Sequence, residues 1–158
     1  MDKGRLICIL SVLCVLSLGA MTLALLPGTE TAAFTPPPFD PAAEAGTPAV
    51  PDGLGYRTLD AGAFRVALCG EIVTEGSDAT VYLTNPSDSD AWLKVRILNE
   101  KGEILGESGL IRPGEYVRNI PLNQLAAPGT PIVLKIMAYE PETYHSRGAV
   151  TVHTYVGE

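Results

Sequence analysis

The sequence holds few of the residues from which disulfides, metal sites and catalytic centres are built. Its 158 residues include three cysteines and two histidines. Cys8 and Cys14 fall in a long apolar run, so Cys69 is the one thiol in the rest of the chain and no internal disulfide can form there. We interpret Cys69 as a buried, inert thiol, with a reactive or inter-chain cysteine as the alternative.

The scarcity of histidine limits both catalysis and metal binding. His145 and Ser146 are neighbours in one loop, where their side chains point apart, whereas a Ser–His–acid triad needs groups that converge from separate elements. A zinc site built from Glu142, His145 and His153 has no recognised ligand spacing. We therefore predict no catalytic residue, no metal site and no cofactor.

An oxygen-rich loop offers one alternative, because Asp88-Ser89-Asp90 together with Asp78 could bind calcium at the end of a β domain. No Asp-x-Asp-x-Asp-Gly loop accompanies these residues. The stretch that begins at Asn85-Pro86 is instead typical of a solvated turn whose side chains hydrogen-bond their own backbone.

Positive charge is also scarce, and the formal net charge is −7. From Pro27 onward the chain has 17 acidic residues against 9 basic ones. This excess of acid argues against binding to nucleic acid or to anionic lipid headgroups. It is also the ordinary composition of a domain that is exposed to solvent outside the cell.

One long apolar run stands at the N-terminus. Residues 6–26 contain no charged side chain, and a helix that rises about 1.5 Å per residue would carry them across a bilayer core of about 30 Å. Basic residues precede the run, which favours a cytoplasmic segment at residues 1–5 and an exterior location for residues 27–158. We predict a single-pass membrane anchor; a signal peptide cleaved after Ala33 and a buried core helix are the alternatives.

Residues 27–56 are rich in proline and have no apolar period. Seven prolines occur between Pro27 and Pro51, and small or polar residues fill the gaps. This composition predicts a semi-extended, Pro-rich linker outside the membrane. A polyproline ligand for a groove, centred on residues 36–38, is the alternative.

Residues 57–158 change to the period-two alternation of β-strands. The pattern is clearest at residues 91–99, where it predicts Leu93, Val95 and Ile97 inward. Turn residues separate seven such segments, at residues 64–69, 79–85, 91–99, 103–108, 115–122, 131–139 and 148–156. The sequence therefore predicts an all-β domain, a seven-stranded antiparallel β-sandwich.

Two stretches give this sandwich a resemblance. LAAPGT, residues 125–130, followed by PIVLKIMAYE, is similar to the turn that feeds strand F in fibronectin type III domains, with one inserted residue. VYLTNPSDSDAWLKVRILNEKGEIL resembles a B–C hairpin of bacterial cell-surface immunoglobulin-like modules. Together with GESGLIRPGEYV, the chain resembles small single-span envelope proteins of Gram-positive bacteria. The resemblance implies an immunoglobulin-like fold and no particular activity.

Outward-facing aromatic and basic residues are the candidate contact surface. Tyr82, Trp92 and Lys94 are predicted to form an aromatic patch that faces away from the core, and Arg112 is a further exposed residue. Such residues often mark protein contacts. Packing of the patch by a neighbouring strand or by the linker is the alternative.

The sequence thus favours a non-catalytic binding or assembly module, anchored in the cell membrane and exposed outside it. Its expected partner is another envelope protein or a wall polymer. An accessory subunit of a secretion, conjugation or surface-fibre apparatus is an alternative, and a tethered envelope hydrolase is another.

The anchor is directly testable. We expect the protein in the membrane fraction to have the intact mass of the full chain, because the apolar run is long and the cleavage site after Ala33 is poor. Mass spectrometry of the membrane fraction and of the medium provides the measurement. A secreted species that begins at Phe34 would contradict the anchor.

Overall fold

The computed structural model describes residues 34–157. The chain divides into two compact units, Met1–Thr35 and Pro36–Glu158, and all of the described strands lie in the second. These strands form two antiparallel sheets, and the described residues include no α-helix. No helix within residues 34–157 is long and apolar enough to span a membrane. The anchor predicted at residues 6–26 lies outside the described part of the chain.

The described unit contains ten strands. They are β1 (Glu44–Ala45), β2 (Arg57–Asp60), β3 (Arg65–Leu68), β4 (Val73–Glu75), β5 (Asp78–Thr84), β6 (Trp92–Asn99), β7 (Ile104–Glu107), β8 (Glu115–Pro121), β9 (Pro131–Tyr139) and β10 (Ser146–Tyr155).

The four-stranded sheet has the order β10-β9-β6-β7. Its centre is the pair β6–β9, which runs in register from Trp92 opposite Tyr139 to Asn99 opposite Ile132. The predicted alternation is confirmed, because Leu93, Val95 and Ile97 are buried.

The six-stranded sheet has the order β1-β8-β5-β3-β2, and β4 pairs with β5 outside this path. Strand β5 is central, because β3, β4 and β8 all pair with it. Every residue from Ala79 to Thr84 is buried, so this strand is covered on both faces.

A single hydrophobic cluster joins the two sheets. Its members include Val66 and Leu83 from the six-stranded sheet and Val95 and Ile136 from the four-stranded sheet. The all-β prediction is confirmed, and the layered arrangement is compatible with a β-sandwich. All seven predicted strands are present; the short strands β1, β2 and β4 were not predicted.

Residues 36–56 differ from the predicted linker, because they pack on the sheets. The backbone of Leu110 donates to Pro38 O at 2.9 Å, and Asp40 N donates back to Leu110 O at 2.9 Å. Strand β1 pairs with the start of β8, and the Tyr56 hydroxyl donates to Thr84 Oγ1 at 2.7 Å. Proline-rich composition hides this docking, since short anchors separated by prolines leave no apolar period.

Gly109 makes this docking sterically feasible. A Cβ atom at residue 109 would lie 2.5 Å from the backbone nitrogen of Asp40, well inside a van der Waals contact. The same approach lets Gly109 N donate to the Asp40 carboxylate at 2.7 Å. Any larger residue at this position would push residues 38–40 away from the domain.

Asn85 ties the end of β5 to two neighbouring segments. Its buried side-chain amide donates to Ala91 O at 2.8 Å and to Ile111 O at 3.0 Å. Its backbone N donates to Glu115 O, and its backbone O accepts from Gly114, both at 2.9 Å. One residue therefore satisfies buried backbone groups from both sheets at the point where the chain crosses between them.

We expect Asn85→Ala to reduce the free energy of unfolding by about 2–3 kcal/mol, because two buried hydrogen bonds are lost and the Ala91 carbonyl keeps only the longer bond from the Ser89 hydroxyl, at 3.4 Å. Urea unfolding followed by circular dichroism measures the change. The matched control is Asn123→Ala at an exposed position, which should cost less than about 0.5 kcal/mol. Equal losses in the two variants would refute the bridging role.

Candidate functional site

The outer face of the four-stranded sheet is the candidate site. We define it by the side chains of β6, β7, β9 and β10 that alternate with the inward residues and share its rows across the strands. They are Trp92, Lys94, Arg96, Leu98, Ile104, Glu107, Pro131, Val133, Lys135, Met137, Tyr139, Ala149, Thr151, His153 and Tyr155.

The centre of the outer face carries two basic residues on one carboxylate. Lys94 Nζ lies 3.1 Å from Glu107 Oε1, and Arg96 Nε lies 2.9 Å from Glu107 Oε2. Lys94 lies on the outward row of β6, as predicted, but its side chain is covered and only 7% exposed. A buried ammonium needs this partner, because leaving it unpaired in the protein interior is costly.

Glu107 is held in its charged form by these contacts. Partial burial opposes ionisation, but the hydrogen bonds from Arg96 and from Lys94 outweigh it, so the pKa of Glu107 is lowered. Both oxygens of the carboxylate are engaged, which leaves little of its charge for a third cation.

Lys135 lies next to this pair without a carboxylate of its own. It stands directly opposite Arg96 on the neighbouring strand and opposite Thr151 on the other side. No salt bridge to Lys135 forms within residues 34–157. Two like charges opposite one another are unfavourable by themselves, so this position is suited to an incoming anion.

An aromatic row borders the face at the Trp92 end. The Phe39 ring meets Trp92 edge-on at 4.8 Å between centroids, and Trp92 meets Tyr144 in the same manner at 5.3 Å. The Arg112 guanidinium lies 3.5 Å from the centroid of the Phe39 ring. Trp92 and Arg112 are therefore brought together through Phe39, a residue of the predicted linker.

Trp92 is packed by other residues, which is the alternative in which the linker covers the predicted patch. The indole is half-buried because Phe39 and Tyr144 cover parts of it. Aromatic pairs of this kind contribute about 0.5–1.5 kcal/mol each beyond the burial of area. The row consequently holds residues 36–56 on the sheet as well as forming surface.

The loop that carries Tyr144 has unusual backbone geometry. Glu142 and Tyr144 have φ angles of 65° and 59°, in the left-handed region that non-glycine residues seldom adopt. Next to the loop, Arg147 pairs with Asp90 at 2.7 Å. This hydrogen bond lowers the pKa of Asp90 and raises that of Arg147.

Tyr82 does not belong to the outer face. It is 4% exposed and lies on β5, in the other sheet. There Val81 and Tyr82 stand opposite the single residue Arg118, a β-bulge in which Tyr82 adopts a φ of 46°. The predicted patch of Tyr82 with Trp92 and Lys94 is therefore wrong, because a bulge breaks the alternation on which it relied.

The other candidate residues are placed apart. Cys69 is fully buried, and burial raises its pKa to about 11, as expected of an inert thiol.

The residues considered for metal binding or catalysis do not converge. Asp88 pairs with Arg65, while Asp78 lies at the opposite end of β5. His145 is highly exposed, with Nδ1 3.8 Å from Glu140. The described residues contain no cluster of potential metal ligands.

Sequence reasoning missed Phe39, Tyr144 and Lys135. Alternation along residues 131–139 predicts Lys135 on the face opposite Ile132, Leu134 and Ile136, but it does not show that Lys135 lies beside Arg96 of another strand. Phe39 is one of three phenylalanines in the chain, and an aromatic residue amid prolines is a signal of an anchor point. Tyr144 depends on a loop conformation that no local pattern predicts.

The chain matches no protein-family model and no curated protein at a significant level.

We expect the free energy of unfolding of Glu107→Gln to fall less steeply than that of the wild type as the pH is lowered. Because the folded-state pKa is lowered, the charged carboxylate stabilises the fold above the ordinary pKa of glutamate, and this contribution is lost as the pH falls through the lowered value. The variant should be less stable at neutral pH by at least about 1 kcal/mol, because it loses the ion pair with Arg96 and leaves the buried ammonium of Lys94 without its carboxylate. The stabilities of the variant and the wild type should converge once the pH falls below the lowered pKa of Glu107.

Urea unfolding at stepwise pH checks this expectation. Glu100→Gln, in the exposed hairpin turn, is the matched control and should follow the wild-type profile. A Glu107→Gln profile that stays parallel to the wild type down to acid pH would contradict the assignment.

Proposed function

We propose that the protein is a membrane-anchored binding or assembly module of the cell envelope that acts by contact and not by catalysis. The apolar run of residues 6–26 supports the anchor, and the basic residues before it support an exterior location for the sheets. The partner is another envelope protein or a wall polymer that carries negative charge.

The observation that carries this proposal is the concentration of positive charge on the outer face. From Pro27 onward the chain has 17 acids and 9 bases, yet the outer face carries Lys94, Arg96 and Lys135 with Glu107 as its one acid. A face whose sign opposes that of the whole chain orients an approaching partner and favours anionic ones.

We also infer that the sandwich is immunoglobulin-like. Two features support this class: consecutive strands β5 and β6 lie in different sheets, and β10-β9-β6-β7 follows the order of the G, F, C and C′ strands. Domains of this class present contact surfaces on a sheet face or at the ends of the strands, and many of them have no enzymatic activity.

An accessory subunit of a secretion, conjugation or surface-fibre apparatus is compatible with the same face. A tethered hydrolase has less support. His145 ends an exposed loop and Ser146 is the first residue of β10. Within residues 34–157, the acid at salt-bridge distance from His145 is Glu140, at 3.8 Å. A triad would need a serine hydroxyl presented to the imidazole by a second element.

A photocrosslinking amino acid at position 133, on the outer face two residues from Lys135, tests the proposal in intact cells. We expect it to capture a defined partner, whereas the same amino acid at exposed position 57, on β2 of the other sheet, should not. Arg96→Glu with Lys135→Glu should reduce capture by at least about fivefold, because each reversal converts an attraction into a repulsion. Lys101→Glu, in the hairpin turn, is the charge-matched control.

A second comparison separates contact from catalysis. His145→Ala with Ser146→Ala should leave capture unchanged. Capture that survives the two charge reversals would overturn the assignment of the face. A cellular phenotype lost on changing His145 and Ser146, with capture intact, would restore the hydrolase.

A further inference from the structure

Strand β10 is the longest strand and lies at an edge of its sheet. It pairs with β9 along its whole length, from Ser146 opposite Tyr139 to Tyr155 opposite Pro131. No other described strand pairs with it. Its second side therefore presents backbone N–H and C=O groups that have no partner strand within residues 34–157.

The ends of this edge are closed. Val156 forms a parallel bridge with Ile72, Gly157 N donates to Ile72 O at 2.8 Å, and the Thr154 hydroxyl donates to Gly70 O. At the other end the register shifts between Ser146 and Gly148. Residues 149–153 remain as the open run, about 17 Å of extended chain.

The open run lacks the features that usually protect an edge strand. It reads Ala-Val-Thr-Val-His, with no proline, no lysine and no charged residue directed inward. Natural edges are commonly blocked by such residues or by a bulge, and here the shift in register lies before the run and not within it. Its two valines are half-buried and pack against the core cluster.

We propose that residues 149–153 accept an extended segment of a partner protein as a fifth strand of this sheet, and that the segment alternates apolar with acidic residues. The inference rests on the proposed contact function and names the chemistry of its partner. Strand addition of this type gains affinity from backbone hydrogen bonds and specificity from alternate side chains.

The two faces of the sheet set the alternation. On the inner side, apolar residues of the added strand cover the exposed parts of Val150 and Val152. On the outer side, its carboxylates lie beside Ala149, Thr151 and His153. From there the ammonium of Lys135, one strand further in, reaches them across the short Thr151 side chain, relieving the unbalanced charge beside Arg96.

A second copy of this chain fits the site less well. Pairing two β10 strands would place Ala149, Thr151 and His153 against the same residues and bring no carboxylate to Lys135. The other strands at the ends of the two described sheets, β1, β2 and β7, are only two to four residues long, shorter than the open run. The partner is therefore a different protein.

The probe is a capped peptide of about eight residues that alternates valine with glutamate, added to the full chain in detergent. Three outcomes are expected: the peptide slows amide hydrogen exchange at residues 149–153, Lys135→Glu weakens its affinity about fivefold, and Lys101→Glu leaves the affinity unchanged. A valine–lysine peptide should bind more weakly than the glutamate peptide, and Lys135→Glu should narrow that difference.

A glutamate peptide with proline in place of the valines separates strand addition from simple charge attraction. It keeps the carboxylates but loses the N–H groups of every second residue, and the fixed φ of proline opposes the extended β conformation, so it should not bind. Equal binding of this peptide, or protection of amides outside β10, would overturn the inference. So would self-association through β10 in sedimentation experiments.

The two proposals fail independently. Crosslinking at position 133 in cells combined with no peptide binding would reject strand addition and keep the contact function. Peptide binding combined with no crosslinked partner would reject the proposed function and leave the strand-accepting edge in place.

Discussion

The two hydrogen bonds that the Asn85 side-chain amide donates to backbone carbonyls are the interaction on which the arrangement of the two sheets depends. The chain leaves the six-stranded sheet at β5 and enters the four-stranded sheet at β6, and such a crossing leaves backbone carbonyls buried without a ladder partner. Asn85 donates to the carbonyl of Ala91 and to that of Ile111, which also accepts from Leu93 N, and its own backbone groups pair with the turn that starts β8. With the crossing held in this way, β6 takes the central position from which β9 and β7 are paired on either side.

The position of β6 in turn creates the charged outer face. Its alternation turns Leu93, Val95 and Ile97 to the core, so Trp92, Lys94 and Arg96 are directed outward by geometry alone. Lys94 is nevertheless covered, and Glu107 from β7 neutralises it while also engaging Arg96. The face thus contains a stabilising network in which Glu107 pairs with Lys94 and Arg96. It also carries unbalanced positive charge, because Lys135 of β9 adds a cation that Glu107 does not pair with.

Sequence patterns predicted the strands better than the surface. The seven strands follow from period-two alternation and from turn residues such as Gly102, whose φ of 81° is the left-handed value its position in the hairpin requires. Tyr82 was misplaced because alternation assumes one residue per register step, and the bulge opposite Arg118 adds another. Phe39 was overlooked because a single aromatic anchor between prolines has no periodicity, although its ring lies against both Trp92 and Arg112. Lys94 is covered although it points outward, and its partner Glu107 lies on β7. Alternation along β6 alone cannot reveal a partner on another strand.

The close approach of Asp40 to Gly109 has a mechanical consequence. Tension applied from the N-terminal side would act first on residues 36–56, which are held by a few hydrogen bonds, one two-residue strand and the Phe39 contacts, and not on the long ladders of β6, β9 and β10. Peeled from the sheets and fully extended, that segment spans about 70 Å. The docked segment would then serve as a reserve of length, extending under load before the sheets themselves are strained.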